Sequence, residues 1–317
     1  MVNEKRDVVT ILVAPHQFPN LEREEALARE FSARLIPAED RDEFRAAIPE
    51  ATLVLVTPYA RVEAVDFQAM TRCLAVIRYG IGYDNIDVAA ARAAGIPVSI
   101  VPGASSEEVA SHAFTMGLSL ARRIPQGQTA IANGAWAGRI AYDAPRFSEL
   151  DVAVIGMGRI GAQVARWYAG LGCNTRAFDP FVTFDDIPKA SLIELLEQSD
   201  VISLHVPLTE GTRNLVDANV LNRMRTGAVI VNVSRGGLID EAALAQALHS
   251  GQIAGAGLDT FVTEPLSGDH PLRHAPNVIM TPHVAWRSNR AVESLQGSVV
   301  DRCRQALTGQ QLSDLVS

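Results

Sequence analysis

Val152-Ala153-Val154-Ile155-Gly156-Met157-Gly158-Arg159-Ile160-Gly161 is the stretch on which the reading of this chain turns. Four apolar residues read as a buried strand. Three glycines follow as GxGxxG, and a helical pattern runs on through Trp167 and Leu171. Each glycine has a physical task. Gly156 permits a tight turn, Gly158 lets a pyrophosphate approach the backbone, and Gly161 lets the helix pack closely on the strand. The helix N-terminus then presents free N–H groups and a positive dipole end to the phosphates. A second strand, 175–178, ends in Asp179, 18 residues beyond Gly161. A carboxylate there can accept from both ribose hydroxyls of NAD and repels a 2′-phosphate, so NAD is favoured over NADP. The other reading of Asp179 is that it opens the Asp179-Pro180 turn. The agreement of strand, glycines and helix favours the cofactor.

Outward from this motif, short β-rich runs alternate with helical patterns. Strands are expected at 8–14, 52–57, 74–79, 152–155, 201–205 and 228–233, and helices at 22–31, 87–94 and 241–248, among others. Such alternation implies parallel sheets with helices on both faces. It occurs before residue 102 and again after residue 150, and 317 residues exceed what one core usually serves. The expected fold is α/β, with two Rossmann-like domains, each a doubly wound parallel sheet, and a cleft between them. The substrate-binding domain is discontinuous, residues 1–102 plus 286–317. Its last helix, about 289–307, packs back on it. The cofactor domain is residues 103–285. A long helix is expected over 105–123, capped by Ser105 or Ser106, with Glu107 and Glu108 in its first turn. The stretch 125–145, rich in Gly, Ala and Trp, reads as an arm or linker.

A formal net charge of −8 argues against a nucleic acid or an anionic membrane as partner. Cys73, Cys173 and Cys303 are isolated, without zinc-ligand or CxxC spacing, so neither a metal nor a disulfide is expected. A reducing cytoplasm fits them. The apolar run 8–14 is too short for a secretory signal and reads better as the first strand.

Three further segments end apolar runs. They are Asn232-Val233-Ser234-Arg235-Gly236-Gly237, then Gly257-Leu258-Asp259-Thr260-Phe261-Val262-Thr263-Glu264-Pro265, then Thr281-Pro282-His283-Val284-Ala285-Trp286. In an open α/β sheet, ligands bind outside the carboxyl ends of the strands. An Arg, a Glu and a His are thus offered beside a dinucleotide site. Hydride transfer to a 2-oxo acid needs these types. A guanidinium holds the carboxylate bidentately and polarises the carbonyl. An imidazole gives or takes the proton near neutral pH. A carboxylate bonded to that imidazole fixes its tautomer and favours its charged form. Taken singly, Arg235 reads equally as a surface charge, Glu264 as a loop carboxylate and His283 as a capped core histidine.

The chain resembles the D-isomer-specific 2-hydroxyacid dehydrogenases over nearly its whole length. The likeness is carried by Ser234-Arg235-Gly236-Gly237, Gly257-Leu258-Asp259, Glu264-Pro265 and Thr281-Pro282-His283. The spacings are 29 from Arg235 to Glu264 and 19 from Glu264 to His283. Arg78-Tyr79-Gly80-Ile81-Gly82-Tyr83-Asp84-Asn85-Ile86-Asp87 and Leu204-His205-Val206-Pro207-Leu208-Thr209 add to it. Within the family, His283-Val284-Ala285-Trp286 and Ser106-Glu107-Glu108-Val109-Ala110 are most similar to the branch containing the C-terminal binding proteins.

The resemblance implies that Arg235, Glu264 and His283 are catalytic. It implies cofactor contacts from Gly156, Gly158, Arg159, Ile160, Gly161, Asp179, His205, Pro207 and Thr212. Val233, Ser234, Arg235, Asp259, His283 and Ala285 join them, with Asp259 at the nicotinamide carboxamide. The backbone of Gly80, Ile81 and Gly82 would grip the substrate carboxylate. Selectivity is expected from Tyr59, Arg78 and Trp286, although Tyr59 and Arg61 read equally as an ordinary solvated loop. Ser111 stands where many relatives carry an acid, and Arg287 where this branch often has Tyr. Both bear on the substrate rather than the reaction. The expected protein is a cytoplasmic, NAD-dependent 2-hydroxyacid dehydrogenase, homodimeric through its cofactor domain with 105–142 contributing. One rival is an NAD-gated protein-binding module like the C-terminal binding proteins. Another is phosphoglycerate dehydrogenase. Formate dehydrogenase is disfavoured, because that relative places Gln where Glu264 stands.

Overall fold

The computed structural model describes residues 8–137 and 144–316. Residues 1–7, 317, and 138–143 of the expected arm lie outside the described residues. The chain divides into two compact units, Met1–Ser105 with Ser288–Ser317, and Ser106–Arg287.

In the first unit, β1 (Thr10–Val13), β2 (Arg34–Pro37), β3 (Leu53–Val56), β4 (Ala75–Arg78) and β5 (Val98–Ser99) form one sheet. The order is β2-β1-β3-β4-β5 and every pairing is parallel. Strands β1, β3 and β4 are buried along their whole length, which is why they read as unbroken apolar runs rather than alternating ones. Strand order reverses between β1 and β3, so the chain leaves the sheet in opposite directions there. The loops after their carboxyl ends flank the position where doubly wound sheets hold ligands. Helices α1 (Glu22–Glu30), α2 (Arg41–Ala47), α3 (Ala64–Ala69) and α4 (Val88–Ala93) connect the strands, and α11 (Asn289–Leu307) returns to pack on α1.

That return buries a polar cluster. Glu24 on α1 has no exposed surface. Its carboxylate accepts from the Tyr79 hydroxyl at 2.8 Å and from Nε2 of Gln296, on α11, at 3.0 Å. Burial pushes the Glu24 carboxyl above its ordinary range, and the two donors only partly offset this.

In the second unit, β6 (Asp151–Ile155), β7 (Asn174–Phe178), β8 (Val201–Leu204), β9 (Ala228–Asn232), β10 (Ile253–Leu258) and β11 (Val278–Met280) form a parallel sheet of order β11-β10-β9-β8-β6-β7. Outside β7 the sheet continues, among the described residues, as a single bridge from Ala177 to Lys189. Helices α8 (Leu192–Gln198), α9 (Ala218–Arg223) and α10 (Glu241–Ser250) cover one face. Helices α5 (Ser106–Ala121) and α7 (Arg159–Gly170) cover the other. Asp40, Asp87, Ser191, Asp217, Asp240 and Ser288 cap their helices through side-chain oxygens, each worth about 1 kcal/mol.

The stretch after residue 124 corrects the sequence reading. The arm or linker expected at 125–145 begins as a helix, α6 (Ile124–Ala132). Pro125 lies in the first turn of that helix, where it removes an N–H that would have no partner anyway.

The Glu24 cluster gives a stability test. A carboxyl raised by burial stabilises the fold fully below its unfolded pKa, and that contribution is lost as pH rises towards the folded value. Glu24→Gln cannot ionise. The Tm of the variant minus that of the wild type should therefore increase from pH 4 to pH 8. A difference that stays flat across that range would remove the burial effect from Glu24.

Candidate active site

The Gly-rich loop links β6 to α7, and its three glycines are not equivalent. A Cβ on Gly161 would lie 1.9 Å from the Gly156 carbonyl oxygen, and one on Gly156 would lie 2.4 Å from that of His205. Gly156 also has φ +98°. These two glycines are demanded by backbone packed against backbone. Gly158 is different. Its φ is −67°, and a Cβ there would meet nothing within 4 Å. The fold leaves open space at the one glycine whose side chain would obstruct a bound pyrophosphate. Gly158 is also the N-cap of α7 and supplies no side-chain cap, so the first N–H groups of that helix are left to a ligand. Arg159 and Ile160 open the helix, and Ile160 packs into the core beneath it.

Asp179 ends β7 and joins this loop to its own turn. Oδ2 accepts from the Met157 N–H at 2.7 Å. Oδ1 accepts from Phe181 and Val182 at 2.8 and 3.0 Å. Partial burial opposes ionisation, but the three N–H donors outweigh it and hold the carboxyl below its ordinary range. Asp179 thus organises its own turn and is also tied to the Gly-rich loop, so its charge is fixed beside that loop.

His205 follows β8 and lies against Gly156 and Gly161. Its Nε2 pairs with the Ser203 hydroxyl at 2.8 Å, while Nδ1 is buried without a partner among the described residues. Burial pushes its pKa down to about 4, so the ring is neutral at physiological pH. An orphaned ring nitrogen, an open Gly158 and an uncapped helix end are three features that a dinucleotide answers. Pro207 and Thr212 shape the next turn, where the Thr212 hydroxyl donates to the Pro207 carbonyl at 2.7 Å.

The loop after β9 carries Val233, Ser234 and Arg235. Asn232, quoted in that segment without a role of its own, shapes it. The Asn232 side chain accepts from Ser234 N–H at 3.0 Å and donates to the Arg235 carbonyl at 2.8 Å. Ser234 Oγ donates to the Leu204 carbonyl, tying the loop to β8. Gly236 then brings two loops together. A Cβ there would lie 2.0 Å from the Phe261 carbonyl carbon. Only glycine lets the Arg235 loop touch the loop after β10, which holds Glu264. Glu241, at the start of α10, steadies that second loop by accepting from Val262 N–H at 2.8 Å.

Glu264 Oε2 lies 2.7 Å from His283 Nδ1, and Oε1 accepts from Phe261 N–H. Burial opposes its charge. The His283 hydrogen bond and charge, the Phe261 N–H and the nearby Arg235 charge overcome that and hold the Glu264 carboxyl below its ordinary range. An ionised carboxylate only accepts, so Nδ1 carries the proton of this bond and Nε2 is left to face a ligand. His283 has φ +54°, a conformation that costs a side-chain-bearing residue on the order of 1–3 kcal/mol. Its N–H donates to the Asp259 carbonyl, and the Asp259 carboxylate accepts from Val284 and Ala285 N–H, both at 2.9 Å. Trp286 Nε1 donates to the His283 carbonyl.

The remaining expected residues belong to the first unit. Tyr59 is part-exposed after β3, in a loop held by the Thr57 hydroxyl, which donates to the Pro15 carbonyl. Arg78 is buried at the end of β4, with its guanidinium donating to the Tyr79 carbonyl. Gly80 has φ +120° and lies over that guanidinium, while Ile81 is exposed beside Gly82.

Residues 114–285 match the model of the NAD-binding domain of D-isomer specific 2-hydroxyacid dehydrogenases. The chain is 36% identical over 297 residues to D-3-phosphoglycerate dehydrogenase of Mycobacterium bovis, covering 92% of this chain and 56% of that protein. It thus spans little more than half the length of that relative. It is 37% identical to hydroxypyruvate reductase of Thermotoga maritima, covering 83% of this chain and 87% of the other. Among solved structures it is similar to D-lactate dehydrogenase of Aquifex aeolicus in complex with NAD and lactic acid, with TM-score 0.86, 27% identity, and 94% and 96% of the two chains covered. With its Gly-rich loop, its Asp179 and its paired Glu264 and His283 all inside the matched span, this chain belongs to the D-isomer specific 2-hydroxyacid dehydrogenases and carries their NAD-binding domain.

Proposed function

We propose that this chain transfers a hydride between NAD(H) and a 2-hydroxy acid/2-oxo acid pair. The observation that carries the reading is the 2.7 Å Glu264–His283 pair beside Arg235, on strand-end loops of the NAD-binding unit. NADH supplies the hydride. Every other part falls to the protein. Arg235 holds the carboxylate and polarises the carbonyl. His283 gives its proton from Nε2 to the developing alkoxide, and takes one back in the oxidation direction. Glu264 fixes the ring and stabilises the imidazolium that reduction requires. Asp179, charged beside the Gly-rich loop, favours the unphosphorylated ribose of NAD. The backbone of Gly80–Gly82 is assigned to the substrate carboxylate, and Tyr59, Arg78 and Trp286 to selectivity. The Mycobacterium bovis relative supports a second substrate reading, 3-phosphoglycerate oxidation.

A homodimer belongs to the same proposal. Helix α6 buries none of its residues within the chain. Ile124, Ile131 and Trp136 are 54%, 56% and 73% exposed. Apolar residues so displayed fit a partner copy. No helix among the described residues is long and apolar enough to cross a membrane, and the buried thiols of Cys173 and Cys303 fit a reducing cytoplasm.

The two classes of glycine separate folding from cofactor binding. Gly158→Ala should fold with wild-type Tm and lose most of its NADH affinity by fluorescence titration. Gly161→Ala should lower the Tm itself. Equal NADH affinity in Gly158→Ala and wild type would take the pyrophosphate away from that position.

Light scattering should give the wild type twice the chain mass, and Ile131→Glu should lower it. A wild-type monomer would reject the dimer.

The activity is tested with a panel of 2-oxo acids and 3-phosphoglycerate, using NADH or NAD at 340 nm. Reduction of at least one 2-oxo acid is expected, with NADH preferred to NADPH. In Glu264→Gln the alkaline limb of kcat/KM for reduction should move to lower pH, because the imidazolium loses its neighbouring charge. An unmoved limb would reject the coupling. A wild type that binds NADH and reduces nothing would point to the binding-module reading.

A further inference from the structure

His112 lies on α5, far in sequence from Arg235, Glu264 and His283, yet the packing of α5 on β10 delivers it to the site. A Cβ on Gly255 would lie 2.8 Å from Leu120 Cδ2, and a Cβ on Gly257 would lie 2.8 Å from Met116 Cβ. Two residues forward along the strand match four residues back along the helix. The lengths agree, since four helical residues rise about 6 Å and two strand residues advance about 6.6 Å. The next pair in this series is Asp259 and His112. Their Oδ1 and Nε2 atoms are 3.9 Å apart.

Thr281, just after β11, stands between them. Its hydroxyl donates to Asp259 Oδ1 at 2.5 Å, and His112 Nε2 lies 2.9 Å from the same Oγ1. A threonine hydroxyl has one proton to give. Asp259 takes it, so Oγ1 accepts from His112, and the His112 ring carries its proton on Nε2. Asp259 also accepts the N–H groups of Val284 and Ala285, on either side of the carboxylate, and its carbonyl accepts that of His283. One chain of donors thus runs from α5 to the backbone that keeps His283 at φ +54°.

We propose that His112 is a positioning residue: acting through Thr281, it orients the Asp259 carboxylate and so holds the loop that carries His283. The kinetic part rests on the reductase reading above; the structural part does not. The hydrogen bond of His112 goes to Thr281, not to Glu264 or the His283 ring, so its effect is on where His283 stands.

Hydrogen exchange of the Val284 and Ala285 amides, ring ¹⁵N shifts of His112, and reduction kinetics test this in the NADH-bound protein. In the wild type the shifts should report a proton on Nε2. His112→Leu should speed exchange at both amides by about tenfold and lower kcat for the best 2-oxo acid by about tenfold, with KM for NADH little changed. His112→Gln, whose amide can donate to Thr281, should recover most of both. Thr281→Val breaks the chain at its middle, so His112→Leu/Thr281→Val should be no worse than Thr281→Val alone. A wild-type ring protonated on Nδ1, unchanged exchange in His112→Leu, or additive losses in the double variant would each overturn the proposal. If the wild type reduces no 2-oxo acid, the reductase reading fails, and the shifts and exchange rates alone decide the role of His112. If His112→Leu does not fold, the wild-type tautomer and Thr281→Val decide it.

Discussion

A carboxylate buried at a strand end must be met by donors, and Asp259 is buried at the end of β10. Its donors come almost entirely from one short loop, through Thr281 Oγ, Val284 N–H and Ala285 N–H. Satisfying that one charge therefore dictates the path of the chain from β11 to Trp286. His283 sits in the middle of this path and takes a left-handed conformation because the residues on both sides are anchored. The strain is local, and the hydrogen bonds around it are what sustain it.

The same principle of close, over-determined backbone governs the rest of the site. Gly236 lets the loop after β9 rest on the loop after β10, which sets Arg235 near Glu264. Gly156 and Gly161 lock the turn from β6 into α7. Of the three glycines in that turn, Gly158 is the one at which an added Cβ would meet nothing within 4 Å. Charge follows geometry: Asp179 and Glu264 are both kept ionised by donors that outweigh partial burial, while His205 is kept neutral by burial without a compensating charge.

Local patterns were legible in the chain itself. The expected strand 152–155 is β6 (Asp151–Ile155), the helix expected at 105–123 is α5, and Asn289–Leu307 is α11. Buried parallel strands produce apolar runs and amphipathic helices produce their own period, and both are properties of neighbouring residues. The helix α6 was missed because 125–145 was read as a whole by its content of Gly, Ala and Trp, whereas its first residues are helical. Asn232, Glu241 and His112 were missed for another reason. Their roles lie in single contacts made across the fold, and no spacing in the sequence announces them.

The sequence by itself determined the two α/β sheets, the Gly-rich loop with its acidic strand end, and the three residue types needed for hydride transfer to an oxo acid. These follow from short-range periodicity and from side-chain chemistry. Only the tertiary structure decided that Asp179 grips the Gly-rich loop through Met157, that Glu264 reaches Nδ1 of His283 across 19 residues, and that His112 reaches Thr281 across 169. Hydrogen bonds hold at about 3 Å and weaken quickly beyond it. Whether two groups far apart in the chain come that close is set by how helices and strands pack, which here depends on glycines that let backbone and helix approach where any Cβ would keep them apart.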